Sequence, residues 1–231
     1  MTSQTVREPL SRDRVLATAM AVADAEGLPA VTMRRVASGL GVEAMSLYHH
    51  LHGKEALLDG LVEGVLLEIE AAIGAQRRAG QDWRTALRGR CLTAREVMVR
   101  HPWAPGLISS RPSVSSVLYA YYEEILATLI GGGFTYHLAH RAIHSLGSMV
   151  LGYAQEVFSP GAADEGPSDE EAEAMLAEMA IVLPHLTAMV ASELHDHDED
   201  PLGWCDSRAE FEFTLDLLLD GLARHLARAD P

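Results

Sequence analysis

The chain has 231 residues, 48% of them apolar, with two cysteines and a formal charge of −15. That apolar fraction supports a sizeable core and argues against a disordered chain. Two distant thiols, Cys91 and Cys205, exclude a disulfide framework or a paired-cysteine zinc motif and read as ordinary reduced thiols. No basic stretch leads into an apolar segment at the N-terminus, and no apolar run reaches the roughly 18 residues of a spanning helix. The expectation is a soluble, cytoplasmic protein with no membrane partner.

The charge is unevenly distributed. Residues 1–55 hold six basic and six acidic side chains and sum to zero, so the remaining 176 residues carry the whole −15. Such asymmetry predicts one segment that approaches a polyanion and another kept away from it.

In chain order, Ser11 can cap a helix carrying Val15, Ala19, Val22 and Ala23 at helical spacing, which Gly27 stops. Thr32 caps a second, short helix with Val36, Ala37 and Leu40 inward, and Gly41 ends it in a left-handed conformation. A third short helix places Ala44, Leu47, Tyr48 and Leu51 on one face. Three compact helices, the last two joined by a glycine turn, form a helix-turn-helix pattern. After Gly53 comes a longer helix with a broad stripe from Leu57 to Ile69, and Asp82 caps another from Trp83 to Arg100. Pro102 and Pro105 are expected to break the chain beyond Arg100. Further helices are predicted at 113–130, 135–158, 168–194 and 207–228, separated by Gly131–Gly133 and the segment 160–167.

No alternating strand pattern is present, so the predicted fold is all-α. An N-terminal three-helix helix-turn-helix domain, residues 1–55, precedes a larger helical bundle, residues 56–231, for ligand binding and dimerisation. Apolar stripes of Ala139, Ile143, Leu146, Val150, Tyr153 and Val157, and of Phe211, Leu215, Leu218, Leu219, Leu222 and Leu226, fit either an internal core or a four-helix dimer interface. Gly147 and Gly152 would permit close helix approach there.

A helix-turn-helix presents its second short helix to the major groove. Ala44, Met45, Ser46, His49 and His50 are its outward positions; Ser46 can bond a base or phosphate, and Ala44 and Met45 can meet a thymine methyl. Tyr48 is expected to pack its ring inward and offer its hydroxyl to phosphate. Lys54, the only lysine, starts the next helix and forms a phosphate clamp with the adjacent backbone N–H groups. Arg34 can reach guanine or the backbone, Thr32 can touch phosphate as well as cap, and an arm with Arg7 and Arg12 adds neutralisation.

The run LPAVTMRRVASGLGVEAMSLYHHLHGKEALLDGL resembles the DNA-binding domain of the TetR family of transcriptional regulators. The matching features are Gly27, Thr32, Ala37, Leu40-Gly41-Val42, Leu47-Tyr48, His50, Leu51 and Lys54-Glu55-Ala56-Leu57. The resemblance implies a homodimer on double-stranded operator DNA with paired half-sites, released by a small-molecule effector in the second domain. It assigns DNA contact to Arg34, Ala44, Met45, Ser46, Tyr48, His49, His50 and Lys54. HPWAPGLISSRP, residues 101–112, resembles the segment ending in Arg-Pro at the drug pocket of tetracycline repressors. This chain has Leu107 and Glu70 where those repressors place pocket histidines, so the expected ligand is mostly apolar rather than a magnesium–tetracycline complex.

Candidate ligand-binding residues, chosen for apolar surface with a few polar handles, are Trp103, Leu107, Ile108, Arg111, Tyr119, Tyr122, His140 and His144. Two other readings are carried along. His137, His140 and His144 at i, i+3, i+7 could make a metal-sensing regulator, and the HDHDED run at 195–200 could hold a cation, though a solvated acidic loop suits it better. A helical enzyme is the third reading, but there is no Gly-x-Ser-x-Gly elbow, phosphate loop or zincin motif. The expectation is therefore a non-enzymatic regulator with no catalytic residue, cofactor or resident metal.

Overall fold

The computed structural model describes residues 9–76, 80–111, 115–153, 169–193 and 207–229. The regular elements among them are all helices, with no strand. Helix α1, Arg12–Glu26, begins where the Ser11 hydroxyl accepts the Arg14 N–H, and α2, Met33–Leu40, begins where Thr32 accepts the Arg35 N–H at 3.1 Å. Gly41 ends α2 at φ 65°, ψ 39°, the left-handed conformation that frees the next residue to turn toward α3, Ala44–Leu47.

The third helix is shorter than its sequence pattern suggests. After Leu47 the backbone tightens into i→i−3 bonds, Tyr48 N–H to Met45 O and His50 N–H to Leu47 O, before Gly53 reverses direction at φ 96°. Leu47 and Leu51 are buried as expected, whereas Tyr48 is 43% exposed, correcting the inward placement of its ring. The shift from α to 3₁₀ spacing turns Tyr48 away from the Leu47–Leu51 line.

Val15, Ala19, Val36, Leu47, Leu57 and Leu61 close the core of this head, and α4, Lys54–Gln76, runs out of it. Gly60 lets α1 and α4 approach: a Cβ there would lie 2.4 Å from Leu16 Cδ2 and within 3.3 Å of its Cγ. Gly60→Ala should therefore cost about 1–3 kcal/mol in overpacking, against a helix-propensity gain of at most about 1 kcal/mol. The net loss should be readable in urea unfolding.

Asp82 accepts the Thr85 N–H at 3.0 Å and starts α5, Trp83–Arg100. Pro105 does not keep the segment after α5 irregular. It falls in the first turn of α6, Ala104–Ser110, where a missing N–H costs nothing. Helix α7, Ser116–Gly131, ends at Gly132, where a Cβ would lie 2.7 Å from Trp83 Cβ. Helix α8, Tyr136–Gly152, starts at a Thr135 cap.

The chain divides into two compact units, Met1–Ala154 with Leu218–Pro231, and Gln155–Leu217. In the second unit the helix expected over 168–194 is two, α9 (Asp169–Val182) and α10 (Pro184–Glu193). Pro184 cannot donate to the ladder and drives Leu183 out of helical geometry. Helix α11 is Ser207–Ala229.

Ala139, Leu146 and Val150 on α8 are buried within the single chain, as are Phe211, Leu215, Leu219 and Leu222 on α11. The remaining described stripe residues, Ile143, Tyr153, Leu218 and Leu226, are half-buried. A Cβ at Gly147 or Gly152 would meet open space, and the outward apolar residues of α11 are Phe213 and Leu217. Arg7, Val157, Cys205 and the run 195–200 lie outside the described residues.

Candidate nucleic-acid interface and effector cavity

The head presents a surface on which only some cations are available. Arg35 is locked by Glu26, with Nε and Nη2 donating to the carboxylate at 3.0 and 2.5 Å. Hydrogen bonds and charge from Arg35 hold the Glu26 carboxyl below its usual range. Arg12 is not part of a free arm: its Nη2 donates to Glu63 Oε2 at 2.7 Å. Among the described residues no side chain pairs with Arg34 or Lys54. Both are exposed, as are Thr32, Met45, Tyr48 and His49, while Ala44, Ser46 and His50 are half-buried. The turn around Gly41 and the glycine reversal at Gly53 set α2, α3 and the start of α4 as consecutive pieces of one surface.

Beside Lys54, Glu55 and Asp59 would present two carboxylates to an approaching phosphate. Arg111 engages both, donating from Nη1 to Glu55 Oε2 and from Nε to Asp59 Oδ1, each at 2.7 Å. With its side chain only 11% exposed, Arg111 braces the first turns of α4 rather than lining a ligand cavity. This corrects its expected place.

A second brace crosses from α1 to α4. His101, buried at the end of α5, sets Nδ1 2.7 Å from Asp24 Oδ1 and Nε2 3.0 Å from Glu68 Oε2. Trp103 Nε1 donates to the same Asp24 oxygen at 2.7 Å, and Arg100 Nη2 donates to Glu68 Oε1 at 2.5 Å. Each ring nitrogen of His101 therefore lies within hydrogen-bond distance of a carboxylate oxygen, one on α1 and one on α4. Trp103 is consequently part of this brace and not of a cavity.

Burial pushes the Glu68 carboxyl up, but the hydrogen bonds and charges of Arg100 and His101 outweigh it and leave it below its ordinary value of 4.5. A depressed carboxyl contributes stability that is present above its unfolded value and lost as pH falls through the lower folded one. Wild type should therefore lose its advantage over Glu68→Gln only below about pH 4.5, in urea titrations run at stepped pH.

Behind the braces lies an apolar cavity of about 100 Å³ among α4, α5, α7 and α8, lined by Leu66, Leu87, Met98, Ile125, Ile143 and Leu146 among others. Of the candidate ligand-binding residues, Ile108 and Tyr122 are among those lining it. Leu107 instead is buried in the head's core cluster, and Tyr119 is exposed. His140 and His144 form an exposed pair on α8, Nε2 atoms 3.2 Å apart and ring centroids 4.5 Å apart, away from the cavity lining. Among the described residues no group of three or more histidine, cysteine or acidic side chains is arranged to hold a metal.

Most of the lining was not among the sequence candidates; of those missed residues, Arg90, Cys91 and Tyr121 are the ones with polar side-chain groups. Arg90 is buried, donates from Nη1 to Glu70, and lies 5.0 Å above the Tyr121 ring centroid. Burial pushes the Cys91 thiol and the Tyr121 hydroxyl up to about 12 each. The signal in the sequence was weak: Arg90 is one of several arginines on α5, and only packing distinguishes it.

A wider polar groove of about 690 Å³ adjoins Arg90 from the other side, with Glu70, Trp83, Thr85, Thr93 and Thr128 in its walls. No helix of the described residues is long and apolar enough to cross a membrane.

A helix-turn-helix head with two available cations among its described residues, Arg34 and Lys54, braced onto a helical body with an apolar cavity, defines a ligand-responsive DNA-binding regulator. Two family descriptions match the chain: "Bacterial regulatory proteins, tetR family" over residues 15–61 and "Tetracyclin repressor-like, C-terminal domain" over residues 78–226. The chain belongs to the TetR family of transcriptional regulators. It is 31% identical over 215 residues, 92% of its own length and 77% of the relative's, to the HTH-type transcriptional repressor DrrR1 of Streptomyces coeruleorubidus. A possible TetR family regulator from Streptomyces coelicolor A3(2) superposes with TM-score 0.71 at 28% identity, over 93% of this chain and 99% of that one. The S. coelicolor protein ActR in complex with (S)-DNPA gives 0.72 at 26% identity, over 94% and 99%.

Proposed function

We propose that this chain is a cytoplasmic, non-enzymatic repressor whose dimer reads paired operator half-sites through Thr32, Arg34, Ala44, Met45, Ser46, Tyr48, His49, His50 and Lys54. The division of labour falls near residue 55, between a reading domain and a ligand-binding, dimerising domain. The observation that carries the DNA-facing assignment is the pattern of free cations. Arg12 and Arg35 are committed to carboxylates, whereas Arg34 and Lys54 stay exposed and without an ion-pair partner among the described residues. Arg111 meanwhile covers the two acidic groups next to Lys54. Exposed cations without local partners are what phosphate and base-edge contacts require.

An effector enters the apolar cavity, and segment 101–111 relays its presence. Ile108 touches the cavity, Leu107 is buried against the head, and His101 and Arg111 hold α1 and α4. A ligand that favours one arrangement of this segment shifts the separation of the two heads, and only differential affinity can do so. That the related ActR has been captured with a small molecule bound supports an effector-responsive reading.

The test is a binding titration on DNA from the region upstream of the protein's own gene. Sequence-dependent binding should fall steeply with salt, as expected when several phosphates are neutralised. Equal binding to unrelated DNA of the same length at every salt concentration would refute the repressor reading.

A further inference from the structure

Arg90 belongs to the walls of both openings, the apolar cavity and the polar groove. Within the apolar cavity it is the only charged residue among the described lining. Cys91 and Tyr121 share that wall, and burial keeps both protonated at neutral pH, so neither offers a compensating negative charge. The carboxylate that balances Arg90 comes from outside: Glu70 lines the groove and not the cavity.

The two partners are not equally fixed. The Arg90 side chain is 9% exposed against 31% for Glu70, and the guanidinium is also held over the Tyr121 ring. A carboxylate one-third exposed regains water by swinging outward into the groove. The guanidinium cannot follow without abandoning its aromatic contact in a low-dielectric setting, where an uncompensated charge is costly. An incoming acid can therefore take the place of Glu70, while an incoming amine would face the cation that stays.

From this geometry we infer that the effector is an acid, with an apolar, ring-sized body in the α4–α5–α7–α8 cavity and a carboxylate or phenolate that replaces Glu70 on Arg90. The inference deepens the effector site proposed above and rests on that reading. It makes Arg90 the residue that sets charge specificity and Glu70 an internal competitor that keeps Arg90 neutralised until the effector arrives.

The experiment uses the full-length protein and three probes of one shape: naphthalene-2-carboxylate, naphthalene-2-carboxamide and 2-naphthylmethylamine, titrated by calorimetry at pH 7.5. The carboxylate should bind about tenfold or more tighter than the amide, with the amine weakest, a margin typical of a charge-assisted pair. Arg90→Gln should bring the carboxylate down to the amide's affinity and leave the amide unchanged. Glu70→Gln, which keeps Arg90 in place, should tighten the carboxylate several-fold, and it decides the matter alone if Arg90→Gln fails to fold. Preference for the amine, a carboxylate preference that survives Arg90→Gln, or no carboxylate binding by folded wild type would overturn the inference. Operator binding measured without probe separates this failure from failure of the regulator reading, because the cavity is empty in that measurement.

Discussion

Arg34→Ala should weaken operator binding by about 1–3 kcal/mol and relax base preference near that side chain, the range for losing one good base contact. If Arg34 touches only phosphate, the loss will be uniform across sequences, and the slope of log affinity against log salt will shrink by about one. Arg35→Ala is the informative contrast. Its guanidinium is spent on Glu26, so the change should act on the helix α1–α2 contact and leave the salt slope unaltered. Fluorescence anisotropy over a salt series on operator and scrambled DNA distinguishes the three results. Unchanged affinity and slope for Arg34→Ala would remove that residue from the interface.

Arg111→Ala should have two separable effects. It removes charge-assisted hydrogen bonds to Glu55 and Asp59, and because Glu55 is largely exposed the loss should be about 1–3 kcal/mol rather than the full value of a buried pair. For a chain of this size that is about 2–4 °C in Tm per kcal/mol. It also uncovers two carboxylates beside Lys54, so operator binding should weaken most at low salt and recover relative to wild type as salt screens the repulsion. Because Ile108 and Arg111 lie on the same short stretch, any effector response should be reduced in this variant even at salt concentrations where DNA affinity is restored. Arg111→Lys should recover part of the stability, since one ammonium cannot reproduce the fork that spans two carboxylates. A variant with wild-type melting, DNA binding and response would show that the brace is ornamental.

The reading head was largely legible from residue order. Caps at Ser11 and Thr32, the left-handed Gly41 and the i, i+3, i+7 spacing of Ala44, Leu47 and Leu51 act over a few residues, and local chemistry of that range is written in the sequence. The same locality misled at Pro105. A proline opens a helix or breaks one according to where the preceding residues place it, and here it opens α6. Leu183–Pro184 was the reverse case, a break hidden inside an otherwise continuous helical pattern.

The apolar cavity was much less legible. Trp103, Arg111, His140 and His144 have the side chains of a binding site, but the first two are held by carboxylates from distant segments and the histidines face outward on α8. Whether an arginine is a clamp, a brace or a phosphate contact depends on partners 20 to 56 positions away, as Arg90–Glu70 and Arg111–Glu55 demonstrate. The sequence by itself determined the helical class, the helix-turn-helix and the uneven charge, because these depend on periodicity, caps and composition. Only tertiary packing decided which cations pair with carboxylates and which one, among the described lining residues, is walled into the cavity. Those outcomes depend on long-range pairing and on burial, and neither is a property of any short stretch of chain.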